Sequence, residues 1–187
     1  MPATRTYPDK PEPEEIETFD GITMVSGTHL ILSCTGTIRG TSCAIGIYSG
    51  PRPVSGALKT HNKCQILPPN YPQLLQVAEL HAATMALDIA EEIIATGEIV
   101  DVVVLKVTSA AVHDGMVAWI DTWVPDGAGG YKTAAGGTVA NGVHFARLDE
   151  RIREFELKTQ ALVQFWLVKK GQNLEAEALA TRAYIVD

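Results

Sequence analysis

Glu177 lies in the first turns of a terminal helical pattern, NLEAEALATRAY, where an acid is either a working group or a solvated helix residue. Glu79 lies in VAELHAATMAL, inside the clearest helical pattern of the chain, where a carboxylate is either chemically active or held by a backbone amide or water. Cys34, in LSCTGTIRG, is the candidate nucleophile. It needs a neighbouring base or cation to become a thiolate. His113, followed by Asp114, is the imidazole that could serve, although no spacing rule brings the two together. Without such a partner a core cysteine behaves as a small hydrophobe. His81 follows Glu79 by two residues, so the two side chains leave a helix in different directions.

The elements that position these residues follow from pattern. THLILSCT (28–35) and TSCAIGIYSG (41–50) read as strands joined by a turn at Arg39-Gly40, and NKCQILP (62–68) as an edge strand stopped by prolines. In 71–97, Ala78, Ala82, Met85, Ile89 and Ile93 share one apolar helical face, ended by Gly97. EIVDVVVLKV (98–107) is a nearly continuous apolar run, as in a strand covered on both faces. Thr108 or Ser109 then caps a helix, SAAVHDGMVAWID; at Thr108 that role alone explains the residue. A glycine-rich excursion is followed by a helix (VHFARLDERIREFEL), a strand (ALVQFWLV) and the last helix. Antiparallel strands come first and helix-linked strands follow, which predicts a mixed sheet with helices on its faces. Trp119, Trp123, Phe145 and Trp166 read as core aromatics, and Arg147, Arg151 and Arg153 as a small basic cluster on a solvated helix face.

Hydrophobic residues form 46% of the 187, ample for one core. The net charge is −7, of which residues 1–20 contribute −4. The remainder is still acidic, which disfavours nucleic acid as a partner, because phosphate neutralisation supplies most of that affinity. No apolar run spans a bilayer, and the opening MPATRTYPDKPEPEE lacks the pattern of a signal peptide. Cys34, Cys43 and Cys64 show no metal-type spacing, so a reduced, intracellular chain, cytoplasmic or nuclear, is expected. Residues 1–22 read as a disordered acidic Pro/Glu-rich tail and 23–187 as one domain.

The element order and four local motifs resemble ribonuclease H type 1 over roughly residues 28 to 184. VAELHAATMAL is similar to its A-E-L helix. WIDTWVPDGAGGYKTAAGGTVAN is similar to its W-x-x-x-W segment with the following K-T turn and asparagine. HFARLDERI resembles L-W-x-x-L-D-E, and FWLVKKGQNLEAEALATRA resembles W-V-x-x-x-x-N-x-x-A-D-x-L-A. The resemblance implies an α/β fold, a mixed five-stranded sheet flanked by helices. It implies cleavage of the RNA strand of RNA–DNA hybrids by a set of carboxylates around a pair of Mg²⁺ ions, which need hard anionic oxygens.

Carried over position by position, that set is incomplete. Cys34 is placed at the Asp of the family's T-D-G motif, and no carboxylate occurs between Met24 and Tyr48. Glu79 is the Glu of A-E-L, Thr108 stands at the Asp of T-D-S, and Glu177 replaces the Asp of A-D-x-L-A. Only Glu79 and Glu177 remain as metal ligands, so no cofactor is expected, and Mg or Mn only if nuclease activity persists. Where the family has T-N-N-R this chain has Leu74, Leu75, Gln76 and Val77; its last loop is a short KKGQ without histidine; and Lys132 lies amid glycines and alanines where some members carry a basic protrusion. The expected function is a pseudoenzyme that binds a protein partner or itself through the edge at Leu74 and Leu75, unless these leucines are core. The alternatives are residual nucleic-acid binding with weak hybrid ribonuclease activity, and a repurposed enzyme using Cys34 with Glu79 or His113.

Overall fold

The computed structural model describes residues 5–6, 16–19, 22–25, 28–51 and 61–185. Its central strand is β3 (His29–Arg39), whose side chains alternate between the two faces of the sheet. Leu30, Leu32 and Cys34 enter the main core, and Ile31 joins a small second cluster. Gly40, with φ at +59°, turns the chain into β4 (Ser42–Tyr48), antiparallel to β3, and β5 (Lys63–Ile66) continues antiparallel on β4. β6 (Val102–Val107) lies parallel on the other side of β3, and β9 (Leu162–Leu167) parallel on β6. The principal order is therefore β5-β4-β3-β6-β9, with every expected strand present.

A short hairpin, β1 (Ile16–Phe19) and β2 (Ile22–Val25), extends this sheet by pairing β2 with the start of β3. Within the span read as an acidic tail, residues 16–19 and 22 form strands, and Thr6 bridges Phe165. The rest of the span 1–22, apart from Arg5, lies outside the described residues.

α1 (Leu75–Ile94) buries Val77, Ala78, Ala82, Ile89 and Ile93 against one face of the sheet, and α3 (Gly142–Thr159) packs beside it. α4 (Leu174–Arg182) covers β4 and β3 on the opposite face. The contact is backbone to backbone. A Cβ on Gly46 would lie 2.1 Å from the Ala176 carbonyl oxygen and 2.5 Å from the Ala180 nitrogen. Glycine on the strand and alanines on the helix are what permit α4 to lie so close.

Two segments differ from expectation. The helix after β6 is α2 (Ala110–Asp114) for only five residues, then widens into a π turn over Gly115–Trp119 and tightens into a 3-10 turn over Ile120–Thr122. Gly115 is pressed against the Phe145 ring: a Cβ there would lie 2.4 Å from it. The glycine-rich excursion forms a small hairpin of β7 (Trp123–Pro125) and β8 (Tyr131–Thr133). Asp126 holds its turn, accepting from the amides of Ala128 at 2.7 Å and Gly130 at 3.0 Å. Among the described residues no helix is long and apolar enough to cross a membrane.

Gly46→Ala should cost about 3 kcal/mol of stability, because neither the strand nor α4 can retreat without losing ladder or helix hydrogen bonds. Urea unfolding of the two proteins measures it.

Candidate functional site

A cleft of about 470 Å³ opens at the end of the sheet where β3 and β6 meet α1 and α4. Its walls carry Thr35 and Thr37 from β3, Glu79 from α1, Thr108 from the end of β6, Lys170 from the loop before α4, and Glu177 from α4. Two close approaches assemble it. A Cβ on Gly36 would lie 2.9 Å from Ala78 Cβ and 3.0 Å from the Glu79 nitrogen, so α1 rests on β3 beside its acid. On the other face Asn173, at the start of α4, is buried and donates from Nδ2 to the Cys34 carbonyl at 3.0 Å. Thr35 pairs across the ladder with Gly46, under α4, so Glu177 is carried to the same opening.

Glu79 is half-buried, and burial pushes its carboxyl above the ordinary carboxylate range, with a hydrogen bond from Ser109 pulling the other way. Ser109 serves twice, because its Oγ also accepts from the Val112 amide at 3.4 Å as the cap of α2. The cap is therefore Ser109, and Thr108 is a cleft residue whose presence capping does not explain.

Cys34 is the principal correction. Its side chain is 2% exposed and packs in the core under α1, its thiol donating to the Leu32 carbonyl at 3.4 Å. Burial pushes the thiol well above its ordinary pKa, which disfavours the thiolate a nucleophile needs. The residue of β3 facing the cleft there is its neighbour Thr35. His113 is engaged by Asp114, Nδ1 to Oδ1 at 2.9 Å, which leaves a Cys34–His113 chemistry without support.

The remaining expectations resolve as follows. Leu74 and Leu75 are 51% and 42% exposed, so they are surface rather than core, and Leu75 forms the cleft rim with Ile38. Phe145 is buried, but Trp119 is 46% exposed and walls, with Trp123 and Phe145, a second hollow of about 230 Å³ that reaches Gln76. The three arginines do not form a free basic patch: Arg147 bonds the Tyr71 hydroxyl, Arg151 holds Asp88 and Glu91, and Arg153 holds Asp149. His81 stacks on Tyr71, away from the cleft.

No protein-family profile and no curated protein matches this sequence. Solved structures do match its shape. RNase H1 from the halophilic archaeon Halobacterium salinarum superposes with a TM-score of 0.55 at 19% identity, covering 84% of this chain and 98% of that one. The fold is ribonuclease H-like. LC11-RNase H1, solved in complex with an RNA/DNA hybrid, gives 0.55 at 15% identity, covering 82% and 94%. The N-terminal RNase H domain of rv2228c from Mycobacterium tuberculosis gives 0.53 at 14%, covering 83% and 93%.

The metal ions implied by the ribonuclease H resemblance do not fit this donor set. Mg²⁺ is held by carboxylates with retained waters, and the cleft offers Glu79 and Glu177 beside the threonines at 35, 37 and 108. No group of three or more His, Cys, Asp or Glu that could hold a metal occurs among the described residues.

The raised pKa of Glu79 sets a pH dependence. The folded chain binds this proton more tightly than the unfolded chain does. Stability from this group is therefore full below the ordinary glutamate pKa of about 4.3 and declines as pH rises through the higher folded value. Glu79→Gln, which keeps an acceptor for Ser109, should be more stable than wild type at pH 7, and the difference should vanish below about pH 4. Thermal unfolding across this range checks the sign.

Proposed function

We propose that this protein is a degenerate ribonuclease H-like domain, a pseudoenzyme that acts by binding a protein partner or itself rather than by hydrolysis. The observation that carries the reading is the composition of the cleft: Thr35 and Thr108 line it beside two carboxylates, Glu79 and Glu177, while Cys34, which the resemblance sets at an aspartate position as it does Thr108, is buried in the core. Two-metal hydrolysis needs anions that clamp the ions on the attacking and leaving oxygens, and this cleft has too few. The exposed Ile38 and Leu75 at its rim, with exposed Leu74 next in the chain, support a protein contact, since exposed apolar patches mark interaction surfaces.

The second reading, binding of an RNA–DNA hybrid with or without weak hydrolysis, draws its support from the aromatic hollow of Trp119 and Trp123 and from the likeness to an RNase H1 solved with such a hybrid. The net charge of −7 opposes it.

Labelled RNA–DNA hybrid incubated with the protein in Mg²⁺ or Mn²⁺ should remain uncut, with wild type and Glu79→Gln indistinguishable. Cleavage that the substitution abolishes would overturn the reading and make Cys34 and Thr108 tolerated replacements. If the rim is a self-contact, sedimentation should show a concentration-dependent mass above 20.1 kDa, lost in the double variant Leu74→Glu, Leu75→Glu. That variant should keep its stability within about 0.5 kcal/mol, because both sites are exposed.

A further inference from the structure

β9 ends the sheet. Its inner edge pairs with β6, and its outer edge is where a sheet would otherwise show unpaired amides. Alternation decides which amides those are. The amides of Leu162 and Val168 point inward, donating to the carbonyls of Asp101 and Val107 at 2.9 Å each. Those of Val163 and Phe165 therefore point outward. Val163 is closed by a side chain, its amide donating to Glu156 Oε1 at 2.9 Å. Phe165 is closed by the far end of the chain: its amide donates to the Arg5 carbonyl at 2.6 Å, and Thr6 bridges Phe165 in parallel.

The Arg5 side chain makes a second attachment. Its Nη1 donates to Asp149 Oδ1 at 3.0 Å. Asp149, on α3, is 1% exposed, and it is the one carboxylate in the buried set of the described residues. Its Oδ2 accepts from the Tyr131 hydroxyl at 2.7 Å and pairs with the mostly exposed Arg153. A carboxylate is kept in such a place only where donors surround it. Two of these donors come from the folded body, and the third comes from 144 residues away along the chain.

We propose that the outer edge of β9 and Asp149 together form a strand-docking site for an extended, arginine-bearing segment, and that its occupant is this chain's own N-terminal segment at Arg5–Thr6. Main-chain pairing at Phe165 gives affinity, as in other cases of strand addition. The guanidinium on Asp149 fixes register, through a charge-assisted bond that a planar donor group serves better than an ammonium. A β-branched residue after the arginine suits the extended backbone. Tethering favours the internal occupant over any copy in solution, because a short linker gives an effective concentration on the order of millimolar.

The test uses the full chain, with amide hydrogen exchange at Phe165 and fluorescence anisotropy of a labelled synthetic peptide of residues 1–8. Arg5→Ala should raise exchange at Phe165 at least tenfold while β3 and β6 keep their protection. The same variant should bind the peptide at least tenfold more tightly than wild type does, because the internal segment no longer competes. A peptide with alanine in place of its arginine should bind at least tenfold more weakly. Arg5→Lys should fall between wild type and Arg5→Ala in exchange. Unchanged exchange at Phe165, or no peptide binding to the Arg5→Ala protein, would overturn the proposal. So would binding that ignores the peptide's arginine. Loss of protection across β3 and β6 as well would make Arg5 a general stabiliser and would equally overturn it.

Discussion

Three consecutive residues of β3, Cys34, Thr35 and Gly36, hold two helices at once, and the cleft depends on them. Successive strand residues face opposite sides, so each has a different neighbour. The Cys34 thiol goes under α1 while its carbonyl receives the buried Asn173 amide of α4 at 3.0 Å. Gly36 admits the backbone of α1, with no room for a methyl group before Ala78 and Glu79. Thr35, between them, is left at the opening. Glu79 and Glu177 are brought together by backbone packing rather than by attraction for each other or for an ion. That arrangement lets the scaffold persist when the acids are replaced.

Most of this architecture was legible because periodicity reports burial directly. The apolar run 102–107 is a central parallel strand, and the stepped alanines and isoleucines of 78–93 are the buried face of α1. The site was less legible, and a one-residue error shows why. Placing Cys34 at the aspartate position selects the core face of β3, whereas shifting by one selects the cleft face, since the side-chain period is two. The signal that decides it was present in Gly36, whose missing Cβ fixes the register against α1. Leu74 and Leu75 were ambiguous for a different reason: the first turn of an amphipathic helix lies at the rim of the packed face, where pattern cannot separate core from surface. Lys170 gave no signal, because a short loop reveals nothing of what its residues point toward. The Arg5–Asp149 pair joins residues 144 apart and has no local pattern at all.

The polar economy of the cleft differs from that of a metal-binding one. Carboxylates crowded together raise one another's pKa and resist burial, so a catalytic cluster is a strained arrangement that binding of cations relieves. The cleft instead sets threonines at 35 and 108 beside Glu79 and Glu177. Thr35 satisfies its own hydroxyl locally, on the Gly36 carbonyl at 3.3 Å. Glu79, half-buried, has its pKa raised by desolvation, with a hydrogen bond from Ser109 opposing the shift.

Shape and chemistry therefore separate along a physical line. What packs this end of the sheet in this chain is small residues at 36 and 46, a buried amide at 173 and a cap at 109, none of which is an acid. What the hydrolysis needs is clustered negative charge, which contributes nothing to those contacts. A chain can keep every requirement of the first kind and lose the second by single substitutions that cost the fold little. The exposed leucines beside the cleft point the same way. Exposed at 51% and 42%, they offer apolar surface of the kind that the proposed protein contact would remove from water.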